Sequence, residues 1–231
     1  MITARRSITL VVLAALLGFS ATASTQDFDR GVQAYERGDY AEALGEWRPL
    51  AEQGDAAAQL SLGDMYARGH GVPQDYAEAT RWYRYAAEQG DAEGQFSLGA
   101  MYHIALGVPQ DHAEAARWYR LAAAQGHVEA QFNVGLLYRQ GQGIPQDYSE
   151  AVRWFRLAAE QGHVEAQFHL GILYAPIVLN DLVLAHKWLH LAAAQGHVNA
   201  VEVLDMVASR MTPEQITEAQ ELAREWLAAR E

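Results

Sequence analysis

Apolar and polar positions alternate with a helical period through most of this chain. In Val128-Glu129-Ala130-Gln131-Phe132-Asn133-Val134-Gly135-Leu136-Leu137-Tyr138 the apolar residues fall at i, i+4, i+6, i+9 and i+10, which predicts an amphipathic helix, termed A. A Gly-rich stretch ending in Val-Pro or Ile-Pro then breaks the pattern, at 69–73, 107–109 and 141–145. Asp-x-x-Glu follows, as Asp75 with Glu78, Asp111 with Glu114 and Asp147 with Glu150. The spacing predicts a capping box: the Asp accepts from free backbone N–H groups, and the Glu reaches back. A second helix, B, carries Ala115, Trp118, Tyr119, Ala122 and Ala123 at i, i+3, i+4, i+7, i+8, and stops at Gly126.

The whole unit repeats. Its closing glycines are Gly54, Gly90, Gly126, Gly162 and Gly196, in steps of 36, 36, 36 and 34, and tryptophans keep the same beat at Trp82, Trp118, Trp154 and Trp188. Neither helix can bury its stripe alone, so the units must stack. The expected fold is all-α: a right-handed α/α solenoid of about five helix-turn-helix repeats with a 36-residue period and a C-terminal capping helix. Residues 24–54 read as an abbreviated hairpin like that of a tetratricopeptide repeat. Four full units follow at 55–90, 91–126, 127–162 and 163–196. In 197–231, a degenerate helix over Val198–Arg210 precedes a final helix, which Thr212-Pro213-Glu214-Gln215 starts as N-cap, proline and cap partner, and which hides the last apolar face.

The pattern Ala-x-x-x-Leu-Gly-x-x-Tyr, Gly-Val-Pro-x-Asp, Ala-x-x-Trp-Tyr-x-x-Ala-Ala-x-x-Gly, legible from Ala92 to Gly126, resembles the Sel-one-like repeat family, relatives of the tetratricopeptide repeats. The resemblance runs from about Phe28 to Trp226. It implies an α/α solenoid serving protein interaction or complex assembly. Some secreted members are cysteine-rich and linked to penicillin binding or hydrolysis; this chain has no cysteine, so that activity is not carried over. The fourth full unit also departs from the pattern, with Ala175-Pro176-Ile177-Val178-Leu179-Asn180 in place of the Gly-x-Gly-Val-Pro loop.

The N-terminus changes the expected location. Arg5 and Arg6 precede an apolar run from Ile8 to Phe19 and then Ala21-Thr22-Ala23, the layout of a cleavable signal peptide (1–23). Twelve apolar residues fall short of the ~20 that span a bilayer. A periplasmic or secreted chain starting near Ser24, with no membrane insertion after cleavage, is expected. Losing Arg5 and Arg6 leaves 15 basic residues against 29 acidic, a balance of −14, which argues against nucleic acid as a partner. The lack of cysteine excludes disulfides, thiolate metal sites and cysteine nucleophiles.

The repeat also serves as an internal control, because a residue type present in every copy is explained by packing or capping. His127, His163 and His197 stand where Asp55 and Asp91 stand in earlier copies, and read as polar helix starts. His186 and His190, spaced i, i+4, have the spacing of two zinc ligands. They lack a third ligand, and sister units hold Thr80 and Arg84, Ala116 and Arg120, or Val152 and Arg156 there, which reads as a solvent-facing column. No metal site, cofactor or catalytic constellation is expected: a Gly-x-Ser-x-Gly elbow and a phosphate-binding loop are both absent.

What varies between copies is a stripe on helix A. Positions 3, 7, 10 and 14 after each glycine give Ala57, Ser61, Asp64 and Arg68; Glu93, Ser97, Ala100 and Ile104; Glu129, Asn133, Leu136 and Gln140; Glu165, His169, Ile172 and Pro176. Steps of 3 and 4 put each set on one face, the expected concave binding surface. Two irregular loops, Ile104–Leu106 and Pro176–Leu179, put apolar side chains where sister units have Arg68, His70, Gln140 and Gln142. The second is either a contact site or a segment tucked under the terminal helices. The function expected is a non-enzymatic, monomeric scaffold or adaptor, exported from the cytoplasm, that binds a protein or peptide on this face. The alternatives are a cell-wall or exopolysaccharide-associated component, in which Trp and Tyr stack on sugars, and a penicillin-directed hydrolase-like protein.

Overall fold

The computed structural model describes residues 26–175 and 179–230. The expected export signal and its cleavage point, and residues 176–178 of the fourth-unit loop, lie outside the described residues. Among the described residues there are twelve α-helices and no strand. The chain divides into two compact units. The first, up to Gln110, holds α1 (26–36), α2 (Tyr40–Glu52), α3 (Ala56–Arg68), α4 (Tyr76–Glu88) and α5 (Ala92–Ile104). The second, from Asp111, holds α6 (His112–Ala124), α7 (Val128–Gln140), α8 (Tyr148–Glu160), α9 (Val164–Tyr174), α10 (Leu182–Ala194), α11 (Val198–Ala208) and α12 (Pro213–Ala228). Odd-numbered helices through α11 are type A and even-numbered ones through α10 are type B. Within the units, successive helices from α2 to α5 and from α6 to α11 pack against one another, the all-α stacked-hairpin architecture that the repeat predicts.

Helix starts follow the sequence closely, with one correction. The B-helix Asp residues do cap: Asp75 accepts from the N–H groups of Ala77 and Glu78, and Asp147 from Ser149 and Glu150. The reciprocal Glu half of the box is not used. The N–H of Asp75 instead donates to the Tyr66 carbonyl, and that of Asp147 to the Tyr138 carbonyl, both at 2.9 Å. Each spare Glu pairs with an Arg three residues on: Glu78 with Arg81, Glu114 with Arg117, Glu150 with Arg153. Among the described residues a complete capping box forms at α12 alone, between Thr212 and Gln215. At the other end of a B helix, Gly126 adopts φ 94°, and the N–H of His127 returns to the Ala122 carbonyl, closing α6 and starting α7 within three residues.

A glycine inside α3, α7 and α9 sets how closely the next B helix can approach. A Cβ built on Gly63 would lie 2.5 Å from the Tyr83 ring, on Gly135 2.6 Å from the Phe155 ring, and on Gly171 2.6 Å from Leu189. Gly31 in α1 stands in the same relation to Trp47. Backbone therefore meets side chain directly, around large residues such as Phe155 and Leu189, which are fully buried.

α11 ends the series because it loses these features. Asp205 replaces the packing glycine and Glu202 the Phe132 and Phe168 position, so a further B helix would meet two carboxylates. The terminal helix does not cover this face. α12 packs chiefly on α10, with Trp226 edge-on to Trp188 at 6.2 Å, and leaves Val198 82% and Val201 51% exposed. The expected cap thus covers the last B helix and not the last A helix, since Asp205 and Glu202 already make the outer α11 face compatible with water.

Two glycines with opposite surroundings test the close-approach rule. Gly135→Ala should destabilise the protein by about 1–3 kcal/mol through overpacking against Phe155. Gly45→Ala, at an exposed α2 position with open space around it, should stabilise by about 0.5–1 kcal/mol. Urea unfolding followed by circular dichroism measures both; equal effects would show that close approach does not set the packing.

Candidate functional site

Each A helix turns its constant columns inward and its variable stripe outward. In α7 the constant Ala130, Gln131, Val134 and Leu137 are buried, whereas Glu129 and Gln140 are exposed and Asn133 and Leu136 half-buried. The same gradation holds in α3, with Ala57 and Arg68 exposed and Ser61 and Asp64 half-buried, and in α5, with Glu93 and Ile104 exposed and Ser97 and Ala100 half-buried. In α9, Glu165 is exposed and His169 and Ile172 half-buried, while Pro176 lies outside the described residues. Of the irregular loops, Ile104 is 56% exposed, Ala105 holds a left-handed φ of 60°, a conformation that costs a residue with a Cβ about 1–2 kcal/mol, and Leu179 is 42% exposed.

Three stripe residues are already engaged inside the fold, and one of them is Glu165, whose carboxylate lies 3.3 Å from Nε2 of His197. Tyr83 of α4 donates its hydroxyl to Asp64 at 2.6 Å, and burial together with that bond raises the pKa of the phenol. His169 stacks on Phe155 at 5.4 Å and Phe132 at 5.6 Å, and its Nδ1 lies 2.6 Å from the Arg139 guanidinium. Arg can only donate, so Nδ1 is the unprotonated nitrogen. Burial first, then the Arg139 charge, pushes the His169 pKa down to about 4. By contrast Ser61 and Asn133 bond only their own helix backbone, at the Ala57 and Glu129 carbonyls. These, with the exposed Glu129 and Gln140, are the residues of the stripe most open to a partner.

The other histidines divide as follows. Nδ1 of His127, His163 and His197 accepts from the N–H of Ala130, Ala166 and Ala200, so imidazole takes over the N-cap role of Asp55 and Asp91. His186 corrects the sequence expectation: its column is buried and does not face solvent, at 4% exposure beside Thr80 at 2% and Ala116 at 1%. The column lies on the inner edge of helix B, which an i, i+4 count cannot separate from the outer edge. His186 stacks on His190 with centroids 6.1 Å apart, and its Nδ1 has no hydrogen-bond partner. No group of three metal-ligating side chains occurs among the described residues.

The B-helix tryptophans are buried under cations. Arg117 lies 4.0 Å from the Trp118 ring, Arg153 5.3 Å from Trp154 and Lys187 4.7 Å from Trp188. Sequence reasoning missed a second shared column, the glutamines five residues after each closing glycine. Gln59 donates to the Ala51 carbonyl of the preceding B helix and accepts from Gln89 at the end of its own hairpin; Gln131 and Gln167 repeat this with Ala123 and Gln161, and with Ala159 and Gln195. The recurrence of both glutamines at a fixed offset was the available signal.

Comparison with known proteins agrees with this geometry. The Sel1 repeat family model matches residues 56–91, 92–127, 128–163 and 164–197. A protective antigen present in uropathogenic Escherichia coli strains, displaying an SLR fold, superposes with a TM-score of 0.79 at 34% identity, over 91% of this chain and 48% of that one. The chain thus spans about half the length of that antigen. A Sel1 repeat protein from Oxalobacter formigenes aligns with a TM-score of 0.73 at 30% identity, over 86% of this chain and 82% of that one. No curated protein matches the chain.

The His169 geometry gives a pH dependence. Its folded pKa, about 4, lies below the ordinary histidine value of 6.5, so its contribution to stability is complete above pH 6.5 and is lost as pH falls toward 4. His169→Asn, which installs the residue found at the Asn133 position, should flatten stability between pH 6.5 and 4. Denaturant midpoints across that range read the effect, and an NMR titration placing His169 near 6.5 would overturn it.

Proposed function

Because the chain belongs to the Sel1-repeat family, we propose that it is an exported scaffold that holds a protein or peptide on the outward A-helix face of its units. Sel1-repeat proteins are in general protein-interaction scaffolds, and typically non-catalytic. One observation carries the finer reading: the columns that every copy shares are consumed by packing, caps and the glutamine bonds, while the columns that vary lie at the surface on one face. Variation there changes recognition without disturbing the fold. Glu129, Asn133, Leu136 and Gln140 on α7 offer charged, amide and aliphatic contacts within about three helical turns, a mixture suited to an extended segment or a partner helix.

Export rests on Arg5-Arg6, the apolar run from Ile8 to Phe19 and Ala21-Thr22-Ala23. Among the described residues no helix is long and apolar enough to cross a membrane.

A photo-reactive residue placed at Leu136 or Gln140 should crosslink one partner protein from an exported fraction. The same probe at Glu218, exposed on α12, should not. Glu129→Lys with Glu165→Lys should reduce the crosslink at least about fivefold without loss of helicity. Crosslinking independent of position would sink this reading. Mass spectrometry of the exported chain should find Ser24 at its N-terminus; an intact Met1 would refute cleavage.

A further inference from the structure

Comparison of the B helices isolates one arginine. Arg48, Arg84, Arg120 and Arg156 occupy equivalent places in α2, α4, α6 and α8. Three are held by the tyrosine 18 residues on: Arg48 donates to the Tyr66 hydroxyl at 3.2 Å, Arg84 to Tyr102 at 2.9 Å, and Arg156 to Tyr174. The same three carry an acid one turn on, Glu52, Glu88 and Glu160. α6 differs in both respects. Among the described residues Arg120 makes no hydrogen bond or ion pair, although Tyr138 stands where its sisters' tyrosines do, and one turn on the chain has Ala124.

Arg120 lines an open groove of about 590 Å³ between α6 and α8, both within the second unit. Its size falls in the ~300–1,000 Å³ range of ligand clefts. Ala116 and Ala124 contribute small side chains to it, and Leu121, 42% exposed, and Ile144 contribute aliphatic ones. Arg117 and Arg153 also border the groove, but Glu114 and Glu150 neutralise them at 3.0 and 3.3 Å. No Asp or Glu lines it. In a chain of net charge −12, this groove therefore presents one uncompensated positive charge beside an apolar surface.

We infer that the groove is a second docking site, which takes a peptide segment carrying an aliphatic side chain next to a carboxylate. The aliphatic group lies against Leu121 and Ile144, and the carboxylate takes the guanidinium fork of Arg120. A single free cation over an apolar floor matches one carboxylate and one side chain, and not the dense charge of a phosphate or a polyanion. The site is independent of the A-helix stripe, since no residue lining it belongs to an A helix. Where α2, α4 and α8 have a Glu at this position, α6 has Ala124, so no carboxylate one turn on competes for Arg120.

The test uses the full chain and a fluorescein-labelled Gly-Leu-Asp-Leu-Gly peptide, read by fluorescence anisotropy. Ala124→Glu, which rebuilds the surface of the sister helices, and Arg120→Gln should each weaken binding at least tenfold with unchanged circular dichroism. Replacing the peptide's Asp by Asn should weaken binding to the native chain by a similar factor. Arg84→Gln and Glu129→Lys should leave it unchanged. No binding to the native chain, equal binding by Ala124→Glu, or displacement of the peptide by an equal concentration of inorganic phosphate would overturn the proposal.

Discussion

The contact between a glycine backbone on one helix and a large side chain on the next is the constraint from which the rest of the structure follows. Gly63 against Tyr83, Gly135 against Phe155 and Gly171 against Leu189 leave no room for a Cβ, so helix spacing is set by the backbone itself. On its other side each of these A helices is tied to the preceding B helix by a buried glutamine that donates to a backbone carbonyl. The same constraint ends the stack. Where the glycine becomes Asp205, no B helix follows on that face, and α12 folds back onto α10.

Polar residues that look reactive in isolation are drawn into a linked system along α4 and α8. The Asp caps the helix, the tyrosine carbonyl of the preceding A helix satisfies the cap's own N–H, and the released Glu holds an Arg whose guanidinium lies over the Trp. Each of these members is satisfied by its neighbour. The histidines at 127, 163 and 197 are used in the same way at the starts of A helices, where Nδ1 accepts the capping N–H.

What remains for recognition is therefore small and irregular. The A-helix stripe varies between copies, and even there Asp64, Glu165 and His169 are partly claimed by Tyr83, His197 and Arg139. On the B helices one arginine of four lacks its partners, and the groove beside it is lined by alanine where sister helices carry an acid. Both surfaces are defined by departure from the repeat.

Helix type, order and period were legible from the spacing of glycines, tryptophans and caps, because those signals act within one or two helical turns and recur. The variable stripe was legible for the same reason, as a difference between aligned copies. The Glu half of the capping box was misread, since the Tyr66 and Tyr138 carbonyls that replace it arrive from another helix. So was the His186 column, whose depth depends on which edge of helix B the neighbouring hairpin covers. The resting place of α12 and the isolation of Arg120 were likewise decided only by tertiary structure. Local periodicity states which residues share a face, but the partner of that face is set by packing between segments 18 or more residues apart, where one missing acid or one added carboxylate changes what a surface can hold.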